Sequence, residues 1–306
     1  MQKTAGDLRV KTLQDAAMNQ DKEAALAAVR DFWNRRPCNI RHSAKPIGSN
    51  EYFDEVEARK YFVEPHIPIF AEFEKWRGKR VLEIGCGIGT DTMNFARAGA
   101  EVSAVDLSEK SLEIARYRAG VYGLHNIRFY EGNAEELSSF LPIERYDLIY
   151  SFGVIHHTPR PERVIEQLQR YCLPSTVLKV MVYHRHSWKA MEVFLRHGRG
   201  RFWSVSKLLE RYSEAQTGCP VTHSYTRRSV RELLGGFAVD FVSVEHIFPY
   251  RVPDYVRHQY RMVWYFRHLP QPVFRWLEKR VGWHLCVTAH LAKGIGSGSG
   301  NGTGTS

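Results

Sequence analysis

The rhythm of apolar and polar positions changes several times along the chain. Between residues 11 and 33, Leu13, Ala16, Ala17, Ala25, Ala28, Val29 and Phe32 fall near helical spacing and predict a helix. Pro37, Pro46 and Gly48 then break the chain into loop, and a second helical region covers 52–75 with interruptions at Pro65 and Pro68. From Arg80 onward short apolar runs alternate with amphipathic segments. Strands are predicted at Val81–Ile84, Glu101–Val105, Ile127–Tyr130, Tyr146–Ser151 and Thr176–Tyr183, with helices at 90–98, 109–121 and 161–171. Ser108 stands where it can cap the second of these helices. Strands separated by helices predict right-handed βαβ units and a buried parallel sheet, hence an α/β fold. After Tyr183 the alternation slows. Phe237–Ile247 and Trp283–Ala292 read as strands, each preceded by a long helical, basic and aromatic insertion.

Composition narrows the class. The 306 residues suit one large domain or two modest ones, and 43% hydrophobic with 25% charged residues is a foldable, soluble balance. No apolar run reaches the roughly 18–20 residues of a membrane span, and the polar N-terminal segment does not read as a signal peptide. The five cysteines are scattered and never in CxxC spacing, which argues against a disulfide scaffold or zinc knuckle and makes the cytoplasm the expected compartment. The net charge of +10 is localised. Residues 1–180 carry 25 basic and 25 acidic side chains, whereas 181–293 carry 18 and 8, together with 19 of the 38 aromatics. Residues 294–306 alternate Gly with small polar residues and read as a flexible tail.

The sharpest motif is Val81-Leu82-Glu83-Ile84-Gly85-Cys86-Gly87-Ile88-Gly89. A glycine turn after a strand lets the backbone approach a ligand and aims the next helix N-terminus at it. Dinucleotide sites space their glycines G-x-G-x-x-G, but here the spacing is G-x-G-x-G with Glu83 just ahead. An acidic residue there disfavours a pyrophosphate and suits a ligand carrying ammonium and sulfonium charge. Asp106 closes the second strand, where a carboxylate can accept both hydroxyls of a ribose.

VLEIGCGIG (81–89), AVDLS (104–108), GNAEEL (132–137) and YDLIYSFGVIHHTPRP (146–161) together resemble the class I S-adenosylmethionine-dependent methyltransferases, nearest the type 11 small-molecule branch that includes ubiquinone-biosynthesis enzymes. The resemblance implies a Rossmann-like, seven-stranded mixed sheet of order 3-2-1-4-5-7-6 with strand 7 antiparallel. It implies a helical lid over 1–78, a methyltransferase domain over 79–293, and substrate-cap insertions at 184–228 and 249–282. S-adenosylmethionine would be the cofactor and S-adenosylhomocysteine the product. Glu83, Gly85, Cys86 and Gly87 would surround the methionine end, Asp106 the ribose, and Leu107, Asn133 and Ala134 the adenine. Ser151 and Phe152 would face the methionine moiety by their backbone. Many relatives carry Asp at the place of Asn133.

Methyl transfer needs an acceptor held on the axis of the sulfonium, and a base only where the acceptor carries a proton. His156 and His157 follow the fourth strand and are the candidate catalytic residues, His156 the nearer to the cofactor and His157 packed beneath the loop. The alternative is that both are merely satisfied by hydrogen bonds. Tyr52, Arg59, His184, His186 and Trp188 are candidate substrate residues. His184 and His186 lack a carboxylate closer in sequence than Glu192, so no metal is expected. The basic, aromatic excess points to a small acidic or lipid-like acceptor, with peripheral membrane contact as a further possibility. Nucleic acid ranks lower, since SFGVIHH is not the Asn/Asp-Pro-Pro-Tyr/Phe loop of base-amine methylation. The expected activity is methyl transfer, to oxygen ahead of nitrogen or carbon. An RNA methyltransferase and a non-catalytic S-adenosylmethionine-binding protein are the alternatives.

Overall fold

The computed structural model describes residues 5–197, 205–212 and 219–292. The strands are β1 (Arg80–Ile84), β2 (Glu101–Asp106), β3 (Ile127–Glu131), β4 (Tyr146–Phe152), β5 (Cys172–Tyr183), β6 (Phe237–Glu245) and β7 (His284–Leu291). They form a single sheet of order β3-β2-β1-β4-β5-β7-β6, in which β7 runs antiparallel to both β5 and β6. This is the arrangement expected of class I methyltransferases. The predicted tail at 294–306 lies outside the described residues.

Period-2 alternation drives side chains of one strand into two different cores. Along β1, Val81 joins a core with Phe95 of α4 (Thr90–Arg97) and Leu112 of α5 (Glu109–Val121). Leu82 and Ile84 face the opposite core, with Val164, Ile165 and Leu168 of α6 (Pro161–Gln169) and Val230 of α9 (Arg227–Leu233). Helices therefore cover both faces. Ser108 caps α5, accepting a hydrogen bond from the Ser111 N–H at 3.1 Å.

Before the sheet, α1 (Ala5–Arg35), α2 (Asn50–Val63) and α3 (His66–Ala71) are followed by a short 3-10 turn at Phe73–Trp76. Pro65 thus separates α2 from α3 as expected, whereas Pro68 lies within the first turn of α3, where its missing N–H has no intrahelical partner to lose, and the second break falls at Glu72 in a left-handed conformation. The first insertion holds α7 (Trp188–His197) and α8 (Val205–Tyr212), which pack on each other around Ala190, Val193 and Leu209. The second holds α10 (Val252–Val256), α11 (Trp264–Arg267) and α12 (Gln271–Val281), built around Ile247, Phe266 and Phe274. Trp188 of the first insertion packs on Tyr265 and Phe266 of the second, so the two form one aromatic layer.

The N-terminal helices are tied to this frame by Arg118 of α5, whose side chain is fully buried. Its guanidinium donates to Thr90 Oγ1 at 2.8 Å, to the Phe53 carbonyl at 3.2 Å and to Glu57 Oε2 at 3.0 Å. Three elements thus share one cation. Arg97 also donates to Glu57, at 2.9 and 3.0 Å, so removing Arg118 leaves that carboxylate paired but takes the donor from the Phe53 carbonyl and the Thr90 hydroxyl, a loss of about 1–3 kcal/mol. Arg118→Ala is expected to lower unfolding free energy by about that amount in urea titration, and a loss below about 1 kcal/mol would contradict the assignment.

Candidate functional site

The β1 C-terminus opens into Gly85, Gly87 and Gly89, all left-handed with φ of +78°, +54° and +78°. At Gly85 a Cβ would also meet Val154 Cγ2 at 2.1 Å, so only glycine lets the chain turn there. The Gly85 and Cys86 N–H groups both donate to the Val105 carbonyl, at 2.7 and 3.1 Å. Next to it, Asp106 Oδ2 accepts from the Gly87 N–H and Oδ1 from the Ser108 N–H, each at 2.8 Å. Burial raises the Asp106 pKa above the ordinary carboxylate value, and the N–H groups of Ser108, Gly87 and Leu107 pull against that rise.

These groups line a cavity of about 1000 Å³, open mouth included, at the C-terminal edge of the parallel strands. Gly85, Cys86, Gly87, Asp106, Leu107, Asn133, Ala134 and Phe152 are all on its wall. Asn133 Oδ1 accepts from the Glu135 N–H at 3.0 Å, which fixes its amide at the start of a 3-10 turn. Burial pushes the Cys86 thiol well above its usual pKa, so it stays protonated and is no nucleophile. The roof is α1, through Leu26, Val29 and Trp33.

The histidine pair is placed opposite to the sequence expectation. His157 lines the cavity, near Trp33 at 5.7 Å between ring centroids, and its Nδ1 lies 2.8 Å from the Val221 carbonyl. A carbonyl only accepts, so Nδ1 carries a proton, with Thr222 Oγ1 at 3.2 Å and Cys219 Sγ at 3.3 Å beside it, and in the neutral form of the ring the lone pair is on Nε2. His156 is instead fully buried against Tyr183, at 3.8 Å, and neither of its ring nitrogens has a partner. Burial, then the neighbouring His157 and His223, hold its pKa well below the usual value. Successive residues in the 3-10 turn Ile155–His157 point apart, and the second one meets the cavity.

Other expected site residues also sit away from the wall. Glu83 shares the parity of Val81 and turns toward α4, where its Oε2 accepts from Thr92 Oγ1 at 2.5 Å. Ser151 Oγ donates to the Ile84 carbonyl at 3.2 Å. Tyr52 is buried with Phe53 and Val56, its hydroxyl donating to the Ile40 carbonyl at 2.7 Å. Arg59 reaches the second insertion, donating to the Tyr255 carbonyl at 2.6 Å and stacking over the Tyr255 ring at 4.2 Å. His184 Nδ1 donates to the Gly282 carbonyl at 3.0 Å, while His186 is exposed and Trp188 belongs to the aromatic layer. Among the described residues, none from 184 onward lines this cavity.

Residues 81–175 match a family described as "Methyltransferase domain". That stretch is a methyltransferase domain, set in a sheet with the strand order of the class I methyltransferase fold. The chain is 28% identical over 175 residues to trans-aconitate 2-methyltransferase of Deinococcus radiodurans, covering 57% of this chain and 64% of that protein. It is 34% identical over 99 residues to ubiquinone biosynthesis O-methyltransferase of Paracidovorax citrulli, covering 32% and 41%. The chain therefore spans less than two thirds of the curated relatives it matches. The fold is similar to that of magnesium protoporphyrin IX methyltransferase from Synechocystis PCC 6803 with bound S-adenosylhomocysteine, at a TM-score of 0.54, 15% identity and coverage of 88% and 100%.

Part of the cavity wall carries no motif in the sequence. Lys60, not Arg59, reaches the wall, and its ammonium meets Asp91 Oδ1 at 2.7 Å. Lys60 lies one helical turn beyond buried Val56, a spacing that could have singled it out. Burial opposes its charge, but Asp91 outweighs that and raises its pKa. Asp91 also accepts from the hydroxyls of Tyr61 and Tyr150, each at 3.0 Å. No helix among the described residues is long and apolar enough to cross a membrane.

Beneath the cavity, burial and then repulsion from Asp91 raise the Glu83 pKa from 4.5 to about 8. Between those values the folded state binds a proton that the unfolded state does not. Stability from this group is therefore present below the unfolded pKa and falls as pH rises toward 8. Glu83→Gln keeps an acceptor for Thr92 without the charge. Its melting temperature is expected to rise relative to the unsubstituted protein as pH goes from 5 to 8, about levelling off above. A difference that stays constant across that range would contradict the shift.

Proposed function

We propose that the chain transfers a methyl group from S-adenosylmethionine to an oxygen of a small acceptor at this cavity. The observation that carries the reading is Asp106. Its two oxygens accept from the Gly87 and Ser108 N–H groups with lone pairs left for a vicinal diol, and it stands beside the left-handed glycine turn. Asp106 would hold the ribose hydroxyls, Leu107, Asn133 and Ala134 the adenine, and the Gly85–Gly87 backbone with Phe152 the methionine end. The cofactor supplies an electrophilic methyl on a sulfonium. What falls to the protein is to exclude water and to orient the acceptor.

Trp33, Val29 and Leu26 supply an apolar cover for that purpose. His157 is the proposed base, taking the acceptor proton at Nε2 while Val221 fixes its tautomer. His156, sealed and neutral, acts in this reading as packing beneath it. Oxygen as the acceptor atom is supported by relatives that are ubiquinone biosynthesis O-methyltransferases. An acidic or amphiphilic acceptor is supported by the positive excess in 181–293. In this reading the insertions 184–228 and 249–282 serve acceptor approach, with Arg59 linking the lid to the second of them.

S-adenosylhomocysteine is expected to raise the melting temperature of the unsubstituted protein in a concentration-dependent way. Asp106→Ala removes a charged acceptor worth about 1.5–3 kcal/mol, so the dissociation constant should rise about tenfold to a hundredfold in calorimetry. No stabilisation of the unsubstituted protein, or full affinity in Asp106→Ala, would overturn the reading.

A further inference from the structure

A second chemical cluster lies across Phe152 from the cofactor cavity. The Phe152 ring is on the cavity wall and also packs at 5.8 Å from the His66 ring and 5.6 Å from the His284 ring. Glu64, His246 and His284 each turn one donor atom toward a common point, and these atoms lie within 4.8 Å of one another. They come from the end of α2, the residue after β6 and the first residue of β7, up to 220 positions apart.

We propose that Glu64, His246 and His284 bind a divalent transition-metal ion of the zinc type, with His66 as the residue that orients His284. Two imidazoles and a carboxylate are the ligand set of catalytic zinc sites, which keep a further position open, and also of mononuclear iron sites. Bonds of about 2.0–2.2 Å place adjacent tetrahedral donors about 3.3–3.5 Å apart. His284 Nε2 and Glu64 Oε1 are already 3.8 Å apart, so closing on an ion needs only a small movement.

The surroundings prepare the donors. His284 pairs with Tyr183 of β5 on one side and Glu245 of β6 on the other, so its backbone is held within the sheet. Its Nδ1 lies 3.0 Å from His66 Nε2. With the proton on His284 Nδ1 and donated to His66, the Nε2 lone pair faces Glu64, the arrangement in which a metal-bound histidine is fixed by its other nitrogen. His246 adopts a left-handed φ of +69°, uncommon for a residue with a side chain, and its carbonyl is held by the Trp283 N–H at 2.7 Å. That strained backbone turns the ring onto His284, with centroids 4.8 Å apart. Hard ions such as magnesium prefer oxygen donors and are not the expected occupant.

Metal binding does not depend on the methyl-transfer reading. An acceptor oxygen held on the open position would, because it would lie beside the cofactor cavity only if that cavity holds the cofactor. The test uses the untagged full chain, stripped with a chelator and titrated with zinc in competition with a chromophoric chelator. A single zinc ion per chain is expected, with cobalt giving visible d–d absorption and magnesium not competing. Glu64→Gln and His246→Ala should each weaken zinc binding by about a hundredfold or more, and His66→Gln by about 10–100-fold. His290→Ala, which alters a part-exposed histidine paired with Asp240, should leave it unchanged. Glu64→Gln keeps shape at a part-exposed position, and its thermal unfolding verifies that it folds. Failure of the unsubstituted chain to bind stoichiometric zinc, or equal affinity in the folded Glu64→Gln variant, overturns the site. Zinc binding without any response to S-adenosylhomocysteine would instead retain the site and remove the methyl-transfer reading.

Discussion

The Asp106 carboxylate is the interaction on which the rest of the cavity depends. It joins the glycine turn after β1 to the start of α5, through the N–H groups of Gly87 and Ser108. Without an acceptor there, two backbone donors beside a buried cavity would lose their partner. The left-handed glycines are a consequence of the same geometry: the chain must fold back over Val105 to bring the Gly87 N–H to that oxygen. Desolvation works against the charge, and the fixed N–H dipoles offset it.

A second polar system lies under the first. Asp91 gathers Lys60 and Tyr61 from α2 and Tyr150 from β4, while Glu83 and Thr92 join β1 to α4. Such a network is favourable only when its members are satisfied, which is why lid and sheet fit together closely here. Lys60 belongs to both systems, since it pairs with Asp91 and lines the cavity. The N-terminal helices therefore contribute charge as well as cover.

Much of the fold was readable along the chain because parallel strands buried on both faces give short apolar runs. The runs at Val81–Ile84 and Tyr146–Ser151 fall within β1 and β4, and α5 has the predicted bounds. The cavity floor was readable because glycine spacing and Asp106 act through backbone geometry, which sequence order fixes. Side-chain direction was less accessible. Glu83 lies in the motif yet turns away because of strand parity, and His156 and His157 exchange places within a single tight turn. Arg59 and Lys60 are neighbours on one helix, and only their angular position decides which meets the cavity. The triad of Glu64, His246 and His284 left no local signature, because β6 and β7 bring its members together from distant segments.

The roof of the cavity is coupled to its floor through one side chain. Asn34 at the end of α1 accepts from Ser108 Oγ at 2.8 Å, a contact between residues 74 positions apart. Ser108 is also the cap of α5 and a donor to Asp106. One hydroxyl therefore serves the N-terminus of α5 and the end of α1 at once. A displacement of α1 takes a partner from the residue that also donates its N–H to Asp106, so the cover and the floor of the cavity are joined through a single serine.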